Sequence, residues 1–486
     1  MSGPSPLLAR IGAHPPGSVA IAGTGGRDAL PYGVLGRRPP AAVPRGATVA
    51  LLAEPGPELV ASLFAIWRAG AIAVPISPLH PRAEIEHVIA TAAPAALLAT
   101  RALVPRLAEA APGAPLQIID EQPTATAAGP LAPVMPDGAD DALMLFTSGT
   151  TGRPKGVRLS HHGLAASVRA LEEAWQWRAS DRLLHVLPLH HTHGVVVALL
   201  GALWAGAEVR FLPFAAAAVW DAFAEASVFM AVPTMYAKLM SAYREAPQEQ
   251  QRRWSAAARG LRLATSGSAA LPSALLEEFR AATGQTLLER YGMTEIGMAL
   301  SNPYDGPRVP GAVGRELPGV TVDLVDDGGR LAAVGQPGEL RVRSPQMFSG
   351  YHGDSEASRA GFDDEGRFRT GDIGTRDADG VIRLLGRSSV DIIKSGGYKL
   401  SALEIESVLL EHPAVAEVAV VGAPDPVWGE RVRAYVVPRG PQPPTLDELQ
   451  SFAGNRLAPY KLPRDLRILD ALPRNAMGKV QKQRLG

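Results

Sequence analysis

Residues 147–155 read TSGTTGRPK and gather four hydroxyls, two glycines and a lysine. Glycines let backbone N–H groups close around an anion. The hydroxyls of Thr147, Ser148, Thr150 and Thr151 add neutral donors, and Lys155 adds a positive charge. An apolar run at 142–146 leads into the stretch and reads as a buried strand. These residues suit a loop that grips polyphosphate; on their own they also suit a hydroxyl-rich surface turn. The stretch is not a Walker A loop, because two residues separate Gly149 and Gly152 and Lys155 is followed by Gly156.

Further groups that could do chemistry follow in order: His190-His191-Thr192-His193, Ser266-Gly267-Ser268-Ala269-Ala270, Glu289-Arg290-Tyr291-Gly292-Met293-Thr294-Glu295, Thr370-Gly371-Asp372, Gly386-Arg387, Lys394-Ser395-Gly396-Gly397 and Pro473-Arg474 through Gly478-Lys479. The ordered set resembles the adenylate-forming superfamily of acyl-CoA synthetases, luciferases and peptide-synthetase adenylation domains. The resemblance runs from about residue 48 to the C-terminus. It implies that residues 147–151 and Lys155, with Gly267, Ser268, Ala269, Glu289, Arg290, Tyr291, Gly292, Met293, Thr294, Asp372 and Arg387, hold ATP or AMP. Tyr291 would flank adenine, Thr294 would donate to the α-phosphate, and Asp372 would take the ribose hydroxyls. Glu295 and Thr151 would hold Mg²⁺, a hard cation that prefers oxygen ligands. Lys479, Thr294 and His191 are the implied catalytic residues, and Lys394, Ser395, Gly396 and Gly397 would line the channel for CoA. His190 departs from the superfamily, which has Phe in that place.

ERYGMTE, SGSAALP and VDIIKSGGYK together resemble the malonyl-CoA synthetases within that superfamily. A buried arginine is costly without an anion. A second carboxylate on a small dicarboxylic acid would supply one, so Arg290, with Ser268 and His193, is expected to bind the substrate; pairing of Arg290 with a protein Asp or Glu is the other possibility. The expected partners are thus a small dicarboxylic acid, ATP and CoA. Rival functions are ligation of another short or aromatic acid, loading of a carrier protein, or nucleotide binding without catalysis.

The elements that must position these groups read as α/β. Strand patterns at 49–52, 72–76 and 96–99 alternate with helical ones at 58–69 and 81–92, which predicts a parallel sheet with helices on its faces. Residues 1–46 are rich in Pro and Gly and read as an extended lead-in with one short strand pair. Residues 313–343 read as short strands of a small β subdomain. The expectation is a large N-terminal domain, 1–387, of parallel-rich sheets with helices, and a small mobile C-terminal α/β domain, 388–486, with a pivot in 388–391.

Composition excludes other classes. Lys plus Arg (48) equals Asp plus Glu (48), without the basic excess that a nucleic-acid surface needs. Cysteine is absent, which removes disulfides and thiol nucleophiles. No apolar run reaches the ~20 residues of a membrane span and no secretory signal is evident, so no membrane partner and a cytoplasmic location are expected, as a monomer or homodimer.

Overall fold

The computed structural model describes residues 3–23, 29–35, 43–121, 135–147, 154–388, 390–395, 398–474 and 480–485. A seven-stranded sheet runs Leu116–Ile118, Ala96–Ala99, Thr48–Leu52, Ile72–Ile76 and Asp141–Thr147 in parallel, and Lys155–Ser160 and Gly350–Tyr351 close it antiparallel. Every residue of Thr48–Leu52 and Ile72–Ile76 is buried, as expected for parallel strands covered on both faces. A nine-stranded sheet places Val19–Ile21, Glu208–Phe211, Arg182–His185, Val228–Ala231, Leu263–Ser266 and Leu288–Met293 in parallel. Both sheets share one apolar core, packed through the helices Pro57–Arg68, His161–Trp175 and His193–Leu200. Two of its buried tryptophans have their N–H groups satisfied: Trp67 donates to Ala142 O at 2.6 Å and Trp175 to Ser301 Oγ at 2.9 Å.

A four-stranded antiparallel sheet follows, with Thr321–Val325, Gly338–Arg343, Phe368–Arg376 and Ile382–Arg387. The last part of the chain builds a five-stranded sheet with the helices Ala402–Leu409 and Leu446–Ala453 and its own core around Ile405, Val420 and Val436. This is the mixed α/β architecture expected, with a large sheet-rich N-terminal part and a smaller C-terminal one. Among the described residues no helix is long and apolar enough to cross a membrane.

The lead-in is not merely extended. Pro6–Gly12 is a helix that buries Leu7, Leu8 and Ile11, and Ser5 Oγ caps it by accepting from Leu8 N at 3.2 Å. The helix Gln248–Ala258 also has no counterpart in the sequence reading, since only Trp254, Ser255 and Ala258 of it are buried and the apolar period is faint. Pro57–Arg68 is buried on nearly every side rather than along one stripe.

Candidate active site

The phosphate-loop candidate connects two paired strands. Thr147 ends one and stands opposite Lys155, which opens the next. Ser148, Gly149, Thr150 and Thr151 lie outside the described residues. Lys155 Nζ sits 3.2 Å from Asp354 Oδ2 and 5.0 Å from the centre of the Tyr351 ring. Tyr351 in turn donates its hydroxyl to Glu295 Oε1 at 3.0 Å. Tyr351, which sequence reading missed, therefore links the candidate phosphate lysine to the candidate metal carboxylate. Among the described residues no three His, Cys, Asp or Glu side chains group to hold a metal. Glu295 alone still suits Mg²⁺, which takes one or two carboxylates and completes its shell with phosphate oxygens and water.

The strand Leu288–Met293 carries the next five candidates in a row. Its pairing with Gly297–Ser301 slips at Tyr291/Gly292, and a Cβ on Gly292 would stand 2.3 Å from Gly297 O, so only glycine fits there. Tyr291 donates to Asp372 Oδ2 at 2.6 Å, and Arg387 Nε reaches Asp372 Oδ1 at 2.8 Å. Both carboxylate oxygens are thus engaged, with lone pairs left for further donors. Burial raises the Asp372 carboxyl, and Arg387 opposes that rise. Thr294 Oγ1 accepts from Thr192 Oγ1 at 3.0 Å. Glu289 turns away to accept from Gly311 N at 2.9 Å, and burial pushes its carboxyl up to about 7.

Arg290 turns the other way, against Gly267. It is 4% exposed, yet its Nε and Nη2 have no hydrogen-bond partner among the described residues. Burial pushes its guanidinium down to about 10, with no carboxylate offsetting the shift. The pairing with a protein Asp or Glu is not seen among the described residues. His193 is buried beside it with both ring nitrogens unpartnered; burial first, then Arg290, holds that imidazole neutral. Thr265 and His185 share the face. Each is in register with Met230, and Arg290 lies two places beyond Leu288, the neighbour of Thr265. Thr265 Oγ1 and His185 Nδ1 are also buried without partners. His185 Nε2 meets Gly194 O at 2.9 Å, and His193 and Gly194 open an eight-residue π-helix that roofs this face.

Ser268 and Ala269 are exposed at the end of Leu263–Ser266, Ser268 with a left-handed φ of 68°. The Arg290 guanidinium meets the Gly267 backbone rather than Ser268. His191 lies ring to ring with His190 at 4.0 Å, and His190 lies 5.0 Å from His80. On the small C-terminal sheet, Lys394 N donates to Glu430 Oε2 at 2.6 Å and buried Ser395 pairs with Gly429. Gly396, Gly397, Ser389 and Lys479 lie outside the described residues. The segment holding Lys479 is closed at its base by an antiparallel bridge between Arg474 and Val480 and by Gln481 N donating to Pro473 O at 2.8 Å.

Known proteins match this arrangement along nearly the whole chain. The family profile described as "AMP-binding enzyme" matches residues 41–352, and "AMP-binding enzyme C-terminal domain" matches 404–479. A malonate–CoA ligase of Arabidopsis thaliana is 41% identical over 91% of this chain and 78% of its own length. A mitochondrial malonate–CoA ligase of Homo sapiens is 41% identical over 90% of this chain and 82% of its own. The crystal structure of ATP-bound MatB from Rhodopseudomonas palustris superposes with a TM-score of 0.89 at 34% identity, covering 99% of this chain and 98% of that one. On these matches, the chain belongs to the AMP-binding enzyme family.

Proposed function

We propose that this enzyme is an AMP-forming acid–CoA ligase that activates malonate or methylmalonate. The observation that carries the substrate is Arg290, buried without a described partner beside an unpartnered neutral His193. A monocarboxylate would leave that cation without an anion. A dicarboxylate places its unreacted carboxylate against Arg290, assisted by His193 and Ser268, and presents the other to ATP. One methyl is worth only ~1–3 kcal/mol of pocket fit, so both acids suit the site.

An oxygen of the free carboxylate attacks the α-phosphorus, and the bond to pyrophosphate breaks. Two anions meet, so positioning and positive charge do most of the work. Lys155 and the 147–151 loop cover the leaving pyrophosphate, Thr294 donates to the α-phosphate, and Lys479 bridges carboxylate and phosphate. Mg²⁺, held by Glu295 and Thr151, would neutralise charge on the phosphate oxygens. Tyr291 flanks the adenine while its hydroxyl, with Arg387, fixes Asp372 toward the ribose. In the second step the CoA sulfur attacks the acyl carbon, the bond to AMP breaks, and the thiol proton is released. Lys394, Ser395, Gly396 and Gly397 line the approach, with His191 beside the acyl group. Residues 1–387 and 388–486 act as two domains that reorient about 388–391 between the steps.

The test is a panel of mono- and dicarboxylic acids with ATP, Mg²⁺ and CoA, reading AMP release. Malonate and methylmalonate should exceed acetate, propionate and butyrate by roughly 100-fold or more in kcat/KM, the scale of an unmet buried charge. Equal turnover of butyrate and malonate would overturn the substrate assignment.

A further inference from the structure

Lys482 lies outside every role assigned so far. Its ammonium sits between two carboxylates, 2.5 Å from Asp391 Oδ1 and 2.7 Å from Glu406 Oε1, and the three side chains are only 10%, 14% and 16% exposed. Each carboxylate has a second engagement. Asp391 Oδ2 accepts from Arg387 N at 3.1 Å, and Glu406 Oε1 accepts from Val420 N at 2.6 Å. Gly386, with φ at 122°, makes room for this turn, since a Cβ there would stand 2.4 Å from Asp391 Cβ.

The triad therefore ties three places together: the single 3-10 turn Lys482–Arg484 that follows Lys479, the helix Ala402–Leu409, and the turn after Ile382–Arg387. Arg387 belongs to that turn and also holds Asp372, which holds Tyr291. A continuous polar path thus joins the terminal 3-10 turn to the nucleotide side of the site. A buried ion group adds little stability over a well-packed apolar one, while it does fix registry. Lys482 stands three positions after Lys479, just beyond the Arg474–Val480 bridge that closes the segment.

We propose that Lys482 is a positioning residue for adenylation: clamped by Asp391 and Glu406, it sets where the Arg474–Val480 bridge, the base of the segment bearing Lys479, stands relative to the Arg387–Asp372 pair. The inference rests on the adenylation role given to Lys479 above. It implies that the clamp matters for the first half-reaction and not for the second.

The experiment measures the two halves separately in the full-length enzyme. Malonate-dependent ATP–pyrophosphate exchange reads the first, and conversion of supplied malonyl-adenylate to thioester reads the second. Lys482→Met should lower the kcat of exchange by roughly 100-fold, the cost of a misplacement of about 1 Å, with KM for ATP nearly unchanged. Thioester formation should stay within about threefold, and Lys482→Arg should recover most of the exchange, as a second cation in the same clamp. Glu406→Gln, which keeps the side-chain shape and lies outside the pivot, should show the same split if Lys482→Met does not fold. Both halves falling together, in step with the folded fraction from circular dichroism, would reduce Lys482 to a structural role and overturn the inference. So would unchanged exchange in a wild-type-like Lys482→Met enzyme, which would leave the functional reading intact. A wild-type enzyme that exchanges with no carboxylate at all would overturn both.

Discussion

The guanidinium of Arg290 lies against the bare backbone of Gly267, so close that a methyl group on Gly267 would stand 2.5 Å from Arg290 Cζ. The Gly267 backbone is not in the left-handed region, so alanine is conformationally allowed there and the only conflict is this contact. The guanidinium is the far end of a flexible side chain and would move aside. Gly267→Ala is therefore expected to lower kcat/KM for malonate by roughly 100-fold, through displacement of the anion site, while shifting stability by about 1 kcal/mol or less. Steady-state kinetics beside a urea titration checks this; a large stability loss with intact specific activity would contradict it.

Truncating the arginine itself separates the substrates. Arg290→Ala should cost malonate turnover about 3–5 kcal/mol of transition-state binding, the penalty for a buried carboxylate left without its cation. Butyrate turnover should be unchanged or improved, because the variant no longer buries an unmet charge. If both activities fall equally, the second carboxylate does not sit there.

Tyr291 and Asp372 make a short hydrogen bond at 2.6 Å inside the candidate nucleotide site. Tyr291→Phe removes the donor and keeps the ring. The expected result is a KM for ATP raised about 10-fold, corresponding to ~1.5 kcal/mol for a hydrogen bond to a charged group, with the KM for CoA unaffected. An unchanged KM for ATP would show that Asp372 is oriented by Arg387 alone.

Glu289 offers a prediction about pH. Burial lifts its carboxyl to about 7, against 4.5 for the ordinary group. Between those values the folded protein keeps a proton that the unfolded chain has released. Stability is therefore lost as pH rises through that window, by up to about 3 kcal/mol. Glu289→Gln retains an acceptor for Gly311 N and removes the titration. The variant should match the wild type at pH 4.5 and be the more stable protein at pH 8. A difference between the two urea midpoints that does not change with pH would refute the assignment.

What could be read from the residue order depended on range. Strands such as Thr48–Leu52 and Ile72–Ile76 announce themselves because both faces are apolar, and Ser160 marks the start of His161–Trp175 by its capping hydroxyl. The candidates around Arg290 were legible as a contiguous motif. Tyr351 and Lys482 were not, because their partners stand 56 and 91 positions away in the chain, at Glu295 and Asp391. Thr265 and His185 were hidden too: each is one of two polar residues in a four-residue strand, and only the register across Met230 sets them on the face that Arg290 occupies.

The roof over that face carries one more implication. A π-helix holds an extra residue in each turn compared with the α form, and here it begins at His193 itself. Deleting a single aliphatic residue from 195–199 would let the coil tighten, and each α-helical step rotates a side chain by about 100°. The imidazole would swing off Arg290 while the greasy lid stayed in place. Chain length in this one segment is thus a lever on how a second carboxylate is held, because it moves the imidazole partner while the Arg290 cation stays where it is.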